Sequence, residues 1–590
     1  MRKQQVKSFI AMLVCCSTVI ASTTACGGSD NAGVKGGMIS AKPLQVEQLG
    51  EGFNAQYLPN TSKIKQYSGK IDVCLDFEGT QGGWQALANE YQRLQGKSVV
   101  VNINTNYSGS TYSQRLNDEL TNENTDWDIV EGNLGYGSTY TYCIDMRSSL
   151  SAPNPYCGES NGSWADVLES IAYKTKEADN SGVSYILNSE VMQTCWFVND
   201  VAFNAAVEKG YKNVFELPEY PVTWDDLMLL CEKMEEAGYT NPLGITLCAS
   251  SIESLQFSWL LRVYGDYYYR QFYKYIMAGE AGSEWENYDE KANVVENNAG
   301  YGVKYAKMLN MLFEQDCNFG AGYVGYTSEV YRDMVSQLAK MKGHLMKNVS
   351  STEFGALRDQ FESQGDGKGS PQILLDYQGF GISYEKAEKA DTFELGYFDY
   401  PQMITGTYQS GKLRGEQIVD VSTTTRDIGG NGGFLSVINH LGDAAQNELN
   451  KDFIKFVMSP YGQTIYYQGL AQNGAVPKGL SSVKNDLVVI PNEWKSFFDE
   501  SNKTIKFSGD VDANPFLGWG VRYALGETAT QKVICEYWRN LLMDGLAASQ
   551  ELNVNSFASK WDTAVRTDVA TIVAKNGWPN EFWKNPNYNL

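Results

Sequence analysis

Residues 71–133 constrain the fold most, because they read as an open β-α-β-α-β unit. Ile71, Val73, Leu75 and Phe77 alternate with Asp72, Cys74 and Asp76, the period of a half-buried strand. A glycine-containing turn over residues 78–83 follows. Trp84, Leu87, Ala88, Tyr91 and Leu94 then recur at helical spacing. Val99, Val100, Val101 and Ile103 give a second, β-branched strand. Tyr112, Leu116 and Leu120 carry a second helix, and Trp127, Asp128, Ile129 and Val130 a third strand. Strands alternating with helices predict a parallel sheet, and such sheets bind ligands beyond the carboxyl ends of their strands. Three loops, 78–83, 104–108 and 131–137, therefore share one rim.

The amino terminus fixes the compartment expected for this unit. Arg2, Lys3 and Lys7 form a basic start, residues 9–20 are apolar, and small residues lead to Cys26. That is a secretory signal, too short to span a membrane. The cysteine directly after the small residues resembles a bacterial lipobox, which implies cleavage after residue 25 and lipidation of Cys26. Ordinary cleavage with full secretion is the other reading. Two or more acyl chains would anchor the protein stably, at about 0.8 kcal/mol per buried methylene. Removing the leader lowers Lys+Arg from 48 to 45 against 70 Asp+Glu, taking the net charge from −22 to −25. A surface this acidic repels nucleic acid and anionic lipid headgroups. The 590 residues include only two histidines, His344 and His440, far apart in the chain. Histidine-based acid–base chemistry and histidine-rich metal sites are disfavoured accordingly. The remaining cysteines, Cys74, Cys143, Cys157, Cys195, Cys231, Cys248, Cys317 and Cys535, match no zinc or redox spacing and read mostly as buried thiols. Cys143 and Cys157 flank a turn-rich loop and could pair.

Along the chain, residues 26–69 read as a flexible tether with some ordered wrapping near residues 53–58. Residues 183–199 are extended and lead into a helix. Thr223 then caps a second helix whose apolar stripe is Leu227, Leu230, Cys231 and Met234. Residues 243–249 and 373–377 read as strands, and residues 255–277 as an aromatic-rich helical stretch. Gly429, Gly430, Asn431, Gly432 and Gly433 precede a strand and lack the Lys-Ser/Thr of a phosphate loop. Their expected role is to let backbone pass close to a crossing strand or a ligand. Asp510, Asp512 and Asn514 begin like a calcium loop without its glycine or closing glutamate, so no metal and no cofactor is expected.

Four segments carry a resemblance. They are the first strand, turn and helix with Tyr91-Gln92-Arg93-Leu94; the strand Trp127-Asp128-Ile129-Val130; the block Trp196-Phe197-Val198-Asn199-Asp200 with Thr223-Trp224-Asp225-Asp226-Leu227; and residues 433–477, with Lys455-Phe456-Val457, Ser459-Pro460-Tyr461-Gly462-Gln463 and Gly474-Ala475-Val476-Pro477. In order and spacing they resemble family 1 extracellular solute-binding proteins of bacterial carbohydrate ABC importers, the group that includes maltose-type binding proteins. The resemblance implies a two-lobed, periplasmic-binding-protein-like α/β fold that closes over its ligand by hinge motion. One lobe would comprise residues 70–190 plus 420–480, the other 191–419 plus 481–590. It further implies a monomeric receptor on the outer face of the cell membrane, anchored only through Cys26. Its partners would be an oligosaccharide and the permease subunits of an ABC transporter, and it would have no enzymatic activity.

A cleft for a neutral oligosaccharide needs aromatic platforms for flat sugar faces, and carboxylates and amides for hydroxyl pairs. Strand-end loops of the first lobe offer Glu78, Gln81, Asn106, Tyr107, Glu131, Asn133 and Tyr136. The second lobe offers Trp259, Tyr377, Gln378 and Phe380, the glycine cluster Asn431, and a late loop Trp519. Trp196 stands at the expected crossover and fits stacking or hinge packing equally; Trp84 lies on the apolar face of its own helix. The competing readings are a surface glycoside hydrolase built on paired carboxylates, a receptor for a non-sugar solute such as a peptide, and an adhesion lipoprotein.

Overall fold

The computed structural model describes residues 45–75, 78–105, 112–122, 125–132, 142–159, 162–169, 172–173, 186–192, 194–246, 256–269, 272, 275–276, 305–347, 351–363, 367–377, 379–381, 393–403, 425, 430–431, 433–495 and 554–588. β1 (Gly69–Cys74), β2 (Val99–Asn104) and β3 (Ile129–Glu131) pair in parallel in the order β2-β1-β3, as the alternation predicts. The strands that follow are β4 (Leu187–Asn188), β5 (Glu190–Met192), β6 (Thr194–Asn199), β7 (Leu243–Gly244), β8 (Ile373–Tyr377), β9 (Leu395–Phe398), β10 (Gly430–Asn431), β11 (Phe434–Val437) and β12 (Leu480–Ser481).

They form three sheets. The first has the order β2-β1-β3-β11-β4, with β11 antiparallel to both of its neighbours. β1, β2, β3 and β4 therefore run the same way, and their carboxyl ends share one rim. The second sheet, β7-β8-β6-β9, is built wholly from residues 243–398 plus β6. The third, β10-β5-β12, sets two short chain crossings, β5 and β10, beside β12, whose chain returns to the first-sheet side. This is an α/β architecture of two sheets joined by crossover strands, the two-lobed, periplasmic-binding-protein-like arrangement the sequence implies.

Close helix packing explains how the first sheet is covered. The Gln81–Leu94 helix lies on the Pro460–Gln472 helix, and a Cβ at Gly83 would fall 2.5 Å from the Tyr466 ring. Only glycine permits that approach. Tyr91 and Leu87 of the first helix are fully buried, and the Tyr91 ring meets Phe453 at 4.9 Å. The Tyr91 hydroxyl donates to Asp452, as does that of Tyr156. Burial pushes the Asp452 carboxyl up to about 6 despite these two donors. In the second sheet, the Thr223 side chain accepts from Asp226 N–H, and Asp226 returns the bond to Thr223 N–H. That reciprocal cap starts the helix Trp224–Glu236 where the sequence places it.

Two expectations change, and the buried-thiol reading of the cysteines holds over the alternative pairing. Residues from 45 onward are not tether, because Leu49, Phe53 and Ile64 are buried and Phe53 packs on Tyr461 at 6.3 Å. Cys143 and Cys157 are both free thiols: Cys143 packs with Cys74 and Ile438, whereas Cys157 belongs to the other core cluster. Burial pushes the Cys143 thiol up to about 12. Finally, residues after β12 turn back onto the first-sheet side, where Val483 bridges to Leu168 and Trp494 meets Tyr467 at 6.2 Å. The helix Val554–Asn576 packs elsewhere, with Trp561 against Tyr326 and Arg566 Nη2 donating to the Phe313 carbonyl. Among the described residues no helix is long and apolar enough to cross a membrane.

Candidate functional site

The crossover sheet brings the two rims together. β4, Ser189 and β5 run alongside β10, Gly433 and β11 as one antiparallel ribbon, with Asn188 opposite Phe434 and Val191 opposite Asn431. At the bend, Ser189 N–H donates to the Gly433 carbonyl at 2.7 Å. A Cβ at residue 433 would strike the Ser189 hydroxyl. The glycine cluster thus lets two crossing strands touch, one of the two roles its composition suggested. β6 starts two residues after β5, and its first residue, Thr194, pairs with Tyr377 at the carboxyl end of β8. The β8 terminus and the β3 and β4 termini consequently face the same crossover.

One close approach ties them. A Cβ at Gly379, just past β8, would fall 2.6 Å from the Pro477 carbonyl oxygen. The next residue, Lys478, places Nζ 3.2 Å from Glu131 Oε1 at the end of β3. The second-sheet turn therefore leans on the segment that supplies a cation to the first-sheet rim.

On the second-sheet side stands an aromatic triangle. Trp259 and Tyr377 approach to 4.8 Å, Trp259 and Phe354 to 5.9 Å, and Phe354 and Tyr377 to 5.8 Å. Arg358 lies over Phe354 at 4.7 Å and Phe380 at 5.2 Å. Its guanidinium grips Asp376, the residue before Tyr377 on β8. Asp376 Oδ1 also accepts the Tyr377 N–H at 2.6 Å, which fixes the backbone beneath that ring.

On the first-sheet side stands a buried polar group. Glu190 opens β5 and is 1% exposed; Glu131 is equally buried. Tyr466 donates to Glu190 Oε2 at 3.4 Å, while Glu190 Oε1 has no hydrogen-bond partner among the described residues. Burial pushes Glu190 up to about 8, with Lys478 pulling it down and Glu131 pushing it further up. The site thus holds two carboxylates and one ammonium at the roots of the crossings.

Of the residues read from the sequence as candidates, the structure gathers Trp259, Tyr377 and, through Arg358, Phe380. Glu131 joins them through Lys478 and the Gly379 contact. Gln81 is exposed at the start of its helix. Trp196 is a core side chain here: it is fully buried, stacked on Phe398 at 6.3 Å with Tyr400 at its edge. Phe380 is also buried and meets Phe197 and Phe361. Trp84 is core, with Tyr466 at its edge. Backbone alone is described for Glu78 and Asn431, in a 3-10 turn and β10. Asn106, Tyr107, Asn133, Tyr136, Gln378 and Trp519 lie outside the described residues, as does Cys26. Sequence reading missed Phe354, Arg358, Glu190, Tyr466 and Lys478. A glutamate next to the apolar pair Val191-Met192 in an extended stretch was the one available signal for Glu190. Among the described residues no group of three or more His, Cys, Asp and Glu is placed to hold a metal ion.

No family model and no curated protein sequence matches the chain. Solved structures similar to it include sugar receptors. One is a cyclic α-maltosyl-1,6-maltose binding protein from Arthrobacter globiformis, 11% identical, with 85% of this chain and 99% of that one covered and a TM-score of 0.45. A manno-oligosaccharide-specific solute-binding protein from Bifidobacterium animalis subsp. lactis, in complex with mannotriose, is 12% identical over 87% of this chain and 100% of that one, at a TM-score of 0.48. A family 1 extracellular solute-binding protein from Bifidobacterium longum subsp. infantis is 14% identical over 85% and 100%, at 0.46.

Proposed function

We propose that the protein is a lipid-anchored extracellular receptor that binds a carbohydrate, an oligosaccharide, and delivers it to the permease of an ABC transporter. The observation that carries the reading is the meeting of two unlike rims at one crossover. The second sheet presents the Trp259–Phe354–Tyr377 triangle, and the first presents Lys478, held in place by the buried Glu131, joined where Gly379 touches Pro477. Aromatic faces suit the apolar faces of sugar rings, and charged pairs suit their hydroxyl groups. The short crossings β5 and β10 allow the two sheets to move as bodies around the ligand. The leader and Cys26 support the anchor and the extracellular location, and the resemblance supports the permease partner and a monomer.

One observation favours a second reading, a glycoside hydrolase. Glu190, which burial pushes up to about 8, and Glu131, paired with Lys478, bring two carboxyl groups in unlike surroundings to one place, as such enzymes do. Both carboxylates are about 1% exposed, which keeps a glycosidic bond away from them in this arrangement.

A thermal-shift screen of the chain lacking residues 1–25, against oligosaccharides of differing length and linkage, tests the receptor. Ligand at about 100 times its dissociation constant stabilises the native state by about 2.7 kcal/mol. One responding sugar class, unchanged after overnight incubation, supports the receptor. A flat screen overturns the carbohydrate reading, and turnover that Glu190→Gln abolishes replaces it with the hydrolase.

A further inference from the structure

The two crossings, and β12 beside them, are tied at their roots by one set of charged side chains. Glu190 begins the first crossing, β5. Gly433 follows the second, β10, and a Cβ there would sit 3.4 Å from Glu131 Oε1. Lys478 precedes β12, which pairs with β5, and its Nζ reaches that same Oε1. The Lys478 backbone N–H also faces the Glu190 carboxyl. Tyr466 anchors the assembly from the Pro460–Gln472 helix, bonding Glu190 with its hydroxyl and also facing Thr80 of the rim turn. A change at Glu190 is therefore felt by both crossings among the described residues, β5 and β10, and by β12 beside them.

We propose that Glu131, Lys478 and Glu190 form a proton-operated lock on the crossings: loss of the Glu190 proton to solvent places a second anion beside Lys478 in a water-free site and drives the crossings toward an arrangement that admits water. The charged and titratable groups that face Glu190 are Lys478 from the segment before β12, Glu131 from β3, and Tyr466 and Tyr467 from the helix between. With Glu190 neutral, one ammonium balances one carboxylate. With Glu190 ionised the group is net negative, and a buried net charge is costly unless water or a partner reaches it. The unpartnered Oε1 is the atom at which that cost falls. Burial places the transition at about 8, so the lock is closed at neutral pH and released in mild alkali.

The test is small-angle X-ray scattering of the unliganded full chain between about pH 6 and pH 10, which brackets the shifted carboxyl. No ligand is present, so the outcome is independent of what the receptor binds. The wild type is expected to expand with a midpoint near 8, and Glu190→Gln, which carries no ionisable group there, to stay compact throughout. Tyr466→Phe is the second variant: it removes a hydrogen bond that favours the ionised carboxylate, so the midpoint moves to higher pH. A wild type of constant size overturns the proposal, as does expansion shared equally by Glu190→Gln. Should Glu190→Gln not fold, an unmoved midpoint in Tyr466→Phe overturns it.

Discussion

Arg358 holds Asp376 through two parallel bonds, Nε to Oδ2 and Nη2 to Oδ1, both 2.7 Å. The carboxylate is completely buried on β8, and the guanidinium is sandwiched by the Phe354 and Phe380 rings. Removing the cation leaves a buried carboxylate whose charge nothing comparable balances. Arg358→Met should therefore cost about 3–5 kcal/mol in chemical denaturation. The double change Arg358→Met with Asp376→Leu should recover much of that loss, since an apolar pair of similar volume is often neutral. Equal destabilisation by the single and double variants would show that packing, and not the unpaired charge, is what the single change damages.

Tyr377 and Trp259 separate binding from stability. Tyr377 is half-buried at the end of its strand, whereas Trp259 is 4% exposed. Tyr377→Ala should weaken sugar binding by about 1–2 kcal/mol with a small drop in melting midpoint. Trp259→Ala should weaken binding by more than about 1 kcal/mol and also destabilise by about 3 kcal/mol, as loss of a buried indole does. Calorimetric titration beside thermal melts reads both. Unchanged affinity in both variants would remove the triangle from the site.

The pH dependence of stability should lean to the acid side. Glu190 and Asp452 have raised carboxyls, at about 8 and about 6, so the folded chain keeps protons that the unfolded chain releases. Stability then falls as pH rises from the ordinary carboxylate range to about 8. His440 is raised by its contact with Asp128, so its contribution is present below about 6.5 and is lost as pH climbs through the raised value. Asp128 is lowered despite burial, by His440, the Asp72 N–H and Asn450, so its contribution is present above the ordinary carboxylate range and is lost as pH falls through the lowered value. Glu190→Gln should flatten the alkaline side of the profile measured by urea titration. A profile that keeps its slope in that variant would locate the proton elsewhere.

Gly379 should not accept a side chain. Its Cβ would meet a backbone oxygen, that of Pro477, which cannot swing aside. Gly379→Ala should cost about 1–3 kcal/mol, as overpacking does. Gly210→Ala is no control because its φ of +91° strains any side chain, but Gly355→Ala is, since nothing lies within 4 Å. Equal melting midpoints for the 379 and 355 variants would remove the contact between the two rims.

The parallel core of the first sheet was legible because Ile71, Val73, Val99 and Val101 carry a strand period and the helices between them carry another. The cap at Thr223 was legible because both of its bonds lie within four residues. The site was less so. Trp196 looks the same in sequence whether its face meets a sugar or Phe398, and it is β9, paired across the sheet, that covers it. Glu190 and Lys478 lie far apart in the chain and meet only because β12 pairs with β5. Pairing of that kind leaves no local pattern, so of the polar half of the site only Glu131, at the end of a readable strand, was legible.

The ribbon that links the sheets also sets an order of events on the ribosome. β11 supplies the strand between β3 and β4, yet it begins at Phe434, after the whole of the second sheet has been made. The sheet that comes first in the chain is thus incomplete until the later one has emerged, and β3 offers an open edge meanwhile. Strands β6 to β9 pair only with one another among the described residues, so the second sheet can assemble while the first is still waiting. An unpaired β3 edge is a site for wrong partners. Translation arrested before residue 434 should expose it to added chaperone, and arrest after residue 437 should not.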